Sequence, residues 1–276
     1  MSGLRLEADI ADVERLRGRR RNEQTIIPAG NVRALRRPPT LRHELRVPSV
    51  LEKGSIHTVL FDLDQTLTDR PASIALMARR WLEEFGFLLP GCTVQQISDC
   101  IHAGDRKGYQ SPDYLLAGMR DNLPWRTPPQ PNQLLEFWQH VFPRCAVPRP
   151  GTATVLQRIA SSGYKIGVVT NGYTGPQNSK LDVMGLRPFL SCVVVSETVG
   201  VQKPAPRIYQ IALDGLQARA PTTAFVGDNP QLDVLAPRKL GMTPIWLKGT
   251  YPWPANEIPP EHTIQSLEDL IELLPA

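Results

Sequence analysis

From about residue 56 the chain alternates between two hydrophobic periods. Short apolar runs rich in β-branched residues, Thr58–Phe61, Ile166–Val169, Cys192–Val195, Thr223–Val226 and Thr243–Leu247, are too short for helices and predict strands. Between them, Thr152–Ser161, Pro206–Leu216 and Asp233–Leu240 repeat their apolar residues at helical spacing. Unbroken apolar strands alternating with helices predict a parallel sheet covered on both faces. Right-handed crossovers make this a doubly wound, Rossmann-like α/β fold. The tail from Ser266, SLEDLIELL, predicts a last helix with Ser266 as N-cap and Asp269 three residues on.

One stretch breaks the alternation. About a hundred residues separate the first two strands and hold no convincing strand. Instead Ile74–Phe85, Val94–His102, Pro112–Asn122 and Asn132–Phe142 carry helical periods. A wholly helical insertion cannot join the sheet, so it predicts a small all-helical cap over residues 74–148. The α/β core then comprises residues 56–73 and 149–276. Residues 1–55 read as a basic extension: a weak helical pattern through Leu4, Leu6, Ile10, Val13 and Leu16, the cluster Arg17, Arg19, Arg20 and Arg21, then a Pro- and Arg-rich stretch. Such a composition does not close a core of its own. It reads as an arm for a partner, an anionic surface or nucleic acid, as a partly ordered leader lying on the main domain, or as the product of a start site set too far upstream.

Charge sharpens this division. Residues 1–55 carry 12 Lys/Arg against 7 Asp/Glu, whereas residues 56–276 carry 19 against 20. The net charge of +4 is therefore a property of the extension, which argues against nucleic acid as a partner of the main body. No apolar run reaches the roughly 18 residues of a membrane span, and the N-terminus lacks the pattern of a secretory signal. The 27 prolines suggest long loops or an irregular segment. Cys92, Cys100, Cys145 and Cys192 have neither CxxC spacing nor a nearby histidine, so buried thiols in a reducing, cytoplasmic setting are expected.

The chemistry lies at the strand ends, beyond whose carboxyl termini a doubly wound sheet binds its ligands. The first strand runs into Asp62-Leu63-Asp64-Gln65-Thr66. The second ends at Thr170-Asn171-Gly172. The third leads through Ser196 to Lys203-Pro204, and the fourth into Gly227-Asp228-Asn229 with Asp233 five residues after Asp228. Phosphoryl transfer needs a nucleophile in line, a divalent cation and charge on the equatorial oxygens. Asp62 can attack phosphorus. Asp62 and Asp228 can hold Mg²⁺. Asp64, two residues on, can protonate a leaving alkoxide and then activate water. Thr170 offers a hydroxyl and Lys203 a point charge.

FDLDQTLTD, VVTNG, KPAPRIY and VGDNPQLD resemble, in order, the four motifs of the haloacid dehalogenase-like (HAD) superfamily, over residues 56 to about 250. The position of the helical insertion resembles that of the phosphoglycolate phosphatase-like members. The resemblance implies Asp62 as nucleophile and Asp64 as general acid/base. It implies Mg²⁺ held by the Asp62 carboxylate, the Asp64 backbone carbonyl and Asp228, with Asp233 orienting the metal shell. Thr170, the Asn171 backbone and Lys203 would hold phosphate. The dehalogenase branch lacks the second aspartate, so Asp64 points to the phosphatase and phosphomutase branch. Pro237 departs from the family pattern and predicts a helix that begins later than usual.

The expected function is Mg²⁺-dependent hydrolysis of a small-molecule phosphomonoester, by a monomer or homodimer. A sugar phosphomutase and a binding or regulatory module built on the basic arm are the alternatives. The turn Gly104–Tyr109 is either a solvated turn or a specificity loop in which Arg106 and Lys107 meet a second anion and Tyr109 packs on a ring. His57, His102 and His140 read as structural or surface groups.

Overall fold

The computed structural model describes residues 51, 55–108 and 110–274, without the side chain of Lys107. Of the basic extension over residues 1–55, only residues 51 and 55 are described; its weak helix and its arginine cluster lie outside the described residues.

Six parallel strands form one sheet: β1 (Thr58–Phe61), β2 (Lys165–Thr170), β3 (Cys192–Val195), β4 (Thr223–Gly227), β5 (Thr243–Leu247) and β6 (His262–Ile264), in the order β3-β2-β1-β4-β5-β6. The order runs outward in both directions from β1, so the crevice opens beyond the carboxyl ends of β1 and its neighbours. Register then places the chemistry. Phe61 pairs with Val168 on one side and Val226 on the other, so the residues just past these three strands leave the sheet side by side.

The five predicted strands are all present. β6 is additional; three residues, His-Thr-Ile, are too short to show a period. Helices α1 (Arg70–Phe85), α2 (Val94–Asp105), α3 (Pro112–Asn122), α4 (Pro131–Val141) and α5 (Thr152–Ser161) lie between β1 and β2. The others are α6 (Thr174–Val183), α7 (Ser196–Val199), α8 (Pro206–Leu216), α9 (Ala236–Lys239) and α10 (Leu270–Leu273).

Alternation along β1 explains the layering. Val59 and Phe61 face α5, α6 and α10 through Val155, Leu156, Ile159, Leu181, Leu270 and Leu273. Leu60 points the other way, onto Ile208, Tyr209, Ala212, Leu213 and Leu216 of α8. Both faces are therefore covered, which is why these strands are apolar throughout rather than alternating.

The helical insertion has a core of its own, centred on Trp81. Its ring lies 5.0 Å from Phe85, 5.7 Å from Phe137 and 6.4 Å from Trp125, with Ile97, Ile101, Leu116, Met119 and Leu134 around it. α1 begins four residues before the predicted start because Asp69 caps it, accepting from Ala72 N at 2.9 Å. Thr93 and Gln96 form a capping box on α2.

Many prolines punctuate helices rather than loops: Pro71, Pro112, Pro131, Pro206 and Pro237 all sit in first turns. Pro237 does so because Pro230–Leu235 is wound as a π-helical turn before α9 begins. The tail differs from expectation. Ser266 does not cap it; Asp269 accepts from Gln265 N, Ser266 N and Ser266 Oγ, and α10 starts only at Leu270.

Candidate active site

A cleft of about 290 Å³ lies beyond the strand ends, lined by Asp62, Asp64, Thr170, Asn171, Lys203, Asp228 and Asp233. Gln65, Arg70, Gly108 and Tyr251 add to its wall. The sheet thus gathers seven of the ten residues singled out from the sequence.

Asp62 follows β1 directly, and its N–H donates to Val226 O at 2.9 Å, extending the ladder by one residue. The loop after it is held from the returning chain: Arg149 Nε donates to Thr66 O at 3.2 Å and Arg149 Nη2 to Gln65 O. Lys203 is buried, with Nζ 2.6 Å from Asp62 Oδ1 and 2.8 Å from Asp233 Oδ1. Asn171 sets that lysine: its Oδ1 accepts from Lys203 N at 2.8 Å and its Nδ2 donates to Lys203 O at 3.0 Å. The Asn171 amide side chain is therefore used as a clip on the Lys203 backbone.

Asp62, Asp228 and Asp233 place carboxylate oxygens within 4.8 Å of one another. Asp233 reaches this position from the π-helical turn, where its Oδ2 accepts from Asn229 N at 3.0 Å. A Cβ on Gly227 would lie 2.4 Å from Asp233 Cβ and Cγ, so this approach requires glycine. Burial pushes the Asp62 carboxyl up to about 7; Lys203 opposes the rise and Asp233 adds to it. Burial likewise pushes Asp228 up to about 8, reinforced by the charges of Asp62 and Asp233. For Lys203, burial would lower the pKa, but Asp233 and Asp62 outweigh it and raise it. Even so, Asp228 Oδ2 is buried with no hydrogen-bond partner. Three desolvated carboxylates around one ammonium are short of positive charge, and their all-oxygen donor set suits a hard cation such as Mg²⁺.

Across the cleft, Asp64 is held by groups absent from the sequence-level site. Lys180 Nζ lies 2.6 and 2.8 Å from its two oxygens, and Gln177 Nε2 donates to Oδ2 at 2.9 Å. Burial alone would raise the Asp64 carboxyl; Lys180, then Arg70, reverse this and hold it below its usual range. Both Gln177 and Lys180 belong to α6, a helix that the sequence pattern does not predict. Its buried face is Gln177, Lys180 and Leu181, so the stripe that would mark an amphipathic helix is mostly polar. The detectable signal is spacing: two long polar residues three apart, one helical turn beyond Thr170-Asn171-Gly172.

Arg70 opens α1 and forms a two-point pair with Asp105 at the end of α2, Nε to Oδ2 at 2.8 Å and Nη2 to Oδ1. Its guanidinium stands 5.4 Å from the Phe142 ring centre. Arg106, in a left-handed backbone conformation, is exposed and does not line the cleft; Gly108 does. The side chain of Lys107 and all of Tyr109 lie outside the described residues. His57, His102 and His140 are exposed and stand away from the cleft lining.

Residues 59–247 match the family of haloacid dehalogenase-like hydrolases, and the chain belongs to that family. It is 33% identical over 148 residues to pyrimidine 5'-nucleotidase YjjG of Escherichia coli (strain K12), covering 52% of this chain and 64% of that one. The chain thus spans less than two thirds of that relative's length. It is 28% identical to a glyceraldehyde 3-phosphate phosphatase of Pyrococcus abyssi, over 70% of this chain and 82% of that protein. Among solved structures it resembles YfnB from Bacillus subtilis, crystallised with magnesium, with a TM-score of 0.63 at 23% identity, covering 80% of this chain and 99% of that one. That last likeness is one of fold. No helix among the described residues is long and apolar enough to cross a membrane.

Proposed function

We propose that the protein is a Mg²⁺-dependent phosphatase that hydrolyses a small-molecule phosphomonoester through an aspartyl phosphate on Asp62. The observation that carries this is the division of the cleft into two differently charged carboxylate centres. Asp62 sits with Asp228, Asp233 and Lys203, and Asp64 stands apart with Lys180. Relatives with the names of a pyrimidine nucleotidase and a triose phosphate phosphatase support the substrate class.

The Asp62 and Asp228 carboxylates and the Asp64 backbone carbonyl would hold Mg²⁺, with Asp233 orienting them, and the ion would supply positive charge for the phosphoryl oxygens. The chain's own groups do the rest. Thr170, the Asn171 backbone and Lys203 face the transferred phosphoryl group. A carboxylate oxygen of Asp62 attacks phosphorus while the P–O bond to the alcohol breaks, and the departing oxygen takes a proton from the acid form of Asp64, which is the minor form in the free protein and has to be loaded before this step. The Asp64 carboxylate then takes a proton from water, whose oxygen attacks phosphorus. Inorganic phosphate leaves, and Asp62 is restored. The four cysteines are unpaired, in keeping with a reducing, cytoplasmic setting.

The test is phosphate release across sugar phosphates, nucleotides, phosphoglycolate and phosphoserine, with Mg²⁺ or with EDTA. Release that needs Mg²⁺ and disappears in Asp62→Asn is the expected result. A folded protein that releases nothing, or an Asp62→Asn variant that keeps turning over, refutes the assignment.

A further inference from the structure

We propose that Gln177 and Lys180 of α6 are positioning residues for the reaction, aiming the Asp64 carboxylate at the leaving oxygen and tying it to the phosphate-facing end of β2. The inference rests on the phosphatase assignment above and adds the α6 pair to its machinery.

Three features carry it. Both side chains are buried, Gln177 at 2% and Lys180 at 9% exposure, in a helix whose neighbouring buried residue is the apolar Leu181. Burying an ammonium and an amide there is unfavourable unless each has a partner. The partner of Lys180 is Asp64, reached by both carboxylate oxygens across 116 residues of chain. A carboxylate gripped at both oxygens by one cation, and at Oδ2 also by an amide, has lost rotation about its last bond. Such preorganisation is what a group that must meet a departing oxygen requires.

Gln177 extends the effect. Its Nε2 lies 2.6 Å from Thr170 Oγ1 and 3.3 Å from Asn171 O as well as 2.9 Å from Asp64. One amide thereby spans the acid/base group and the strand end that faces the phosphoryl oxygens. Gly172 leaves room for it: a Cβ there would fall 3.0 Å from Gln177 Cδ. α6 also packs on the Phe142–Cys145 turn, where the helical insertion returns to the sheet. Lys180, Phe142 and Ala146 share one small recess with Asp64. A movement of the insertion would therefore be felt at the Asp64 carboxylate through Lys180.

The distinguishing measurement is kcat/KM on two esters, because this ratio contains no step after loss of the alcohol. An alkyl phosphate needs its leaving oxygen protonated; p-nitrophenyl phosphate, with a stabilised phenolate, needs this far less. Lys180→Met is expected to lower kcat/KM on the alkyl ester about 100-fold, the lower end of what a positioned acid contributes, and on the aryl ester less than about 10-fold. Lys180→Arg keeps a cation near both oxygens and is expected to restore most of the alkyl activity. Gln177→Leu is expected to lower both, since it also loosens Thr170. Thermal unfolding accompanies each variant, and Lys180→Gln replaces Lys180→Met if the latter does not fold. Equal losses on both esters in the Lys180 variants, or no loss on either, overturn the inference while leaving the phosphatase intact. Wild-type protein that hydrolyses neither ester, nor any member of the wider panel, overturns the phosphatase assignment and this inference with it.

Discussion

Asp228→Asn offers a test of the acidic cluster that does not depend on turnover. Asp228 is 3% exposed, its Oδ2 has no partner, and burial with the nearby Asp62 and Asp233 charges lifts its pKa to about 8 from an ordinary value of 3.8. Linkage sets the sign of the effect. Below the unfolded pKa, near 4, the carboxyl is neutral in both states and costs nothing extra. As pH rises the unfolded chain ionises first, while the folded chain keeps its proton, so the folded state loses stability until about pH 8. At 1.36 kcal/mol per pKa unit, the displacement amounts to something on the order of 5 kcal/mol in metal-free protein. Asparagine has the same shape without the charge, but its amide is itself buried at a cost of about 1–3 kcal/mol. In EDTA at pH 8.5 the variant should therefore be more stable by roughly 2–4 kcal/mol, raising Tm by about 5–15 °C for a chain of this size. Near pH 4 the charge penalty disappears and only the cost of the buried amide remains, so the variant should there be less stable than the wild type by about 1–3 kcal/mol. Adding Mg²⁺ should reverse the order, since ligand binding stabilises the wild type and the variant offers the ion a neutral amide oxygen in place of a charged one. Differential scanning calorimetry at pH 4, 6 and 8.5, with EDTA and with Mg²⁺, reads all of this. A variant that melts at or below the wild type at pH 8.5 in EDTA would show that the cluster is not charge-starved, and the case for a cation there would fall.

Packing sets three further outcomes. Asp105→Asn removes one member of a pair whose side chains are 13% and 7% exposed, and should cost about 3–5 kcal/mol in urea unfolding. The double change Arg70→Met with Asp105→Leu should recover most of that; a single variant as stable as wild type would mean that the pair is solvated. Gly227→Ala puts a Cβ 2.4 Å from the Asp233 side chain and should cost about 1–3 kcal/mol and most of the turnover; full activity would mean that Asp233 is free to shift. Thr93→Ala removes the capping box of α2, far from the cleft. It should cost about 1 kcal/mol with kcat unchanged, as read by Tm and initial rates together.

The strands and the four reactive strand ends were legible in the sequence because a covered parallel sheet demands continuous apolar runs and exposes only the residues just past their carboxyl ends. Val59 and Phe61 serve one face and Leu60 the other, so the run TVLF is apolar at every facing position, and Asp62 is the first residue free of it. Asp228 after β4 and Thr170 at the end of β2 were legible for the same reason. What the sequence could not show is whatever depends on partners distant in the chain. α6 hid because its inward face is polar, and that face is polar because it meets Asp64 rather than the core. β6 hid because three residues carry no period, and only pairing with β5 makes them a strand. The sequence pointed to Arg106 because it lies in a glycine-flanked turn, yet the arginine lining the cleft is Arg70, held by Asp105 from the next helix. Local pattern determines which residues are buried along an element; tertiary packing alone decides which buried polar groups meet, because a salt bridge or a clip of hydrogen bonds leaves no period in the chain.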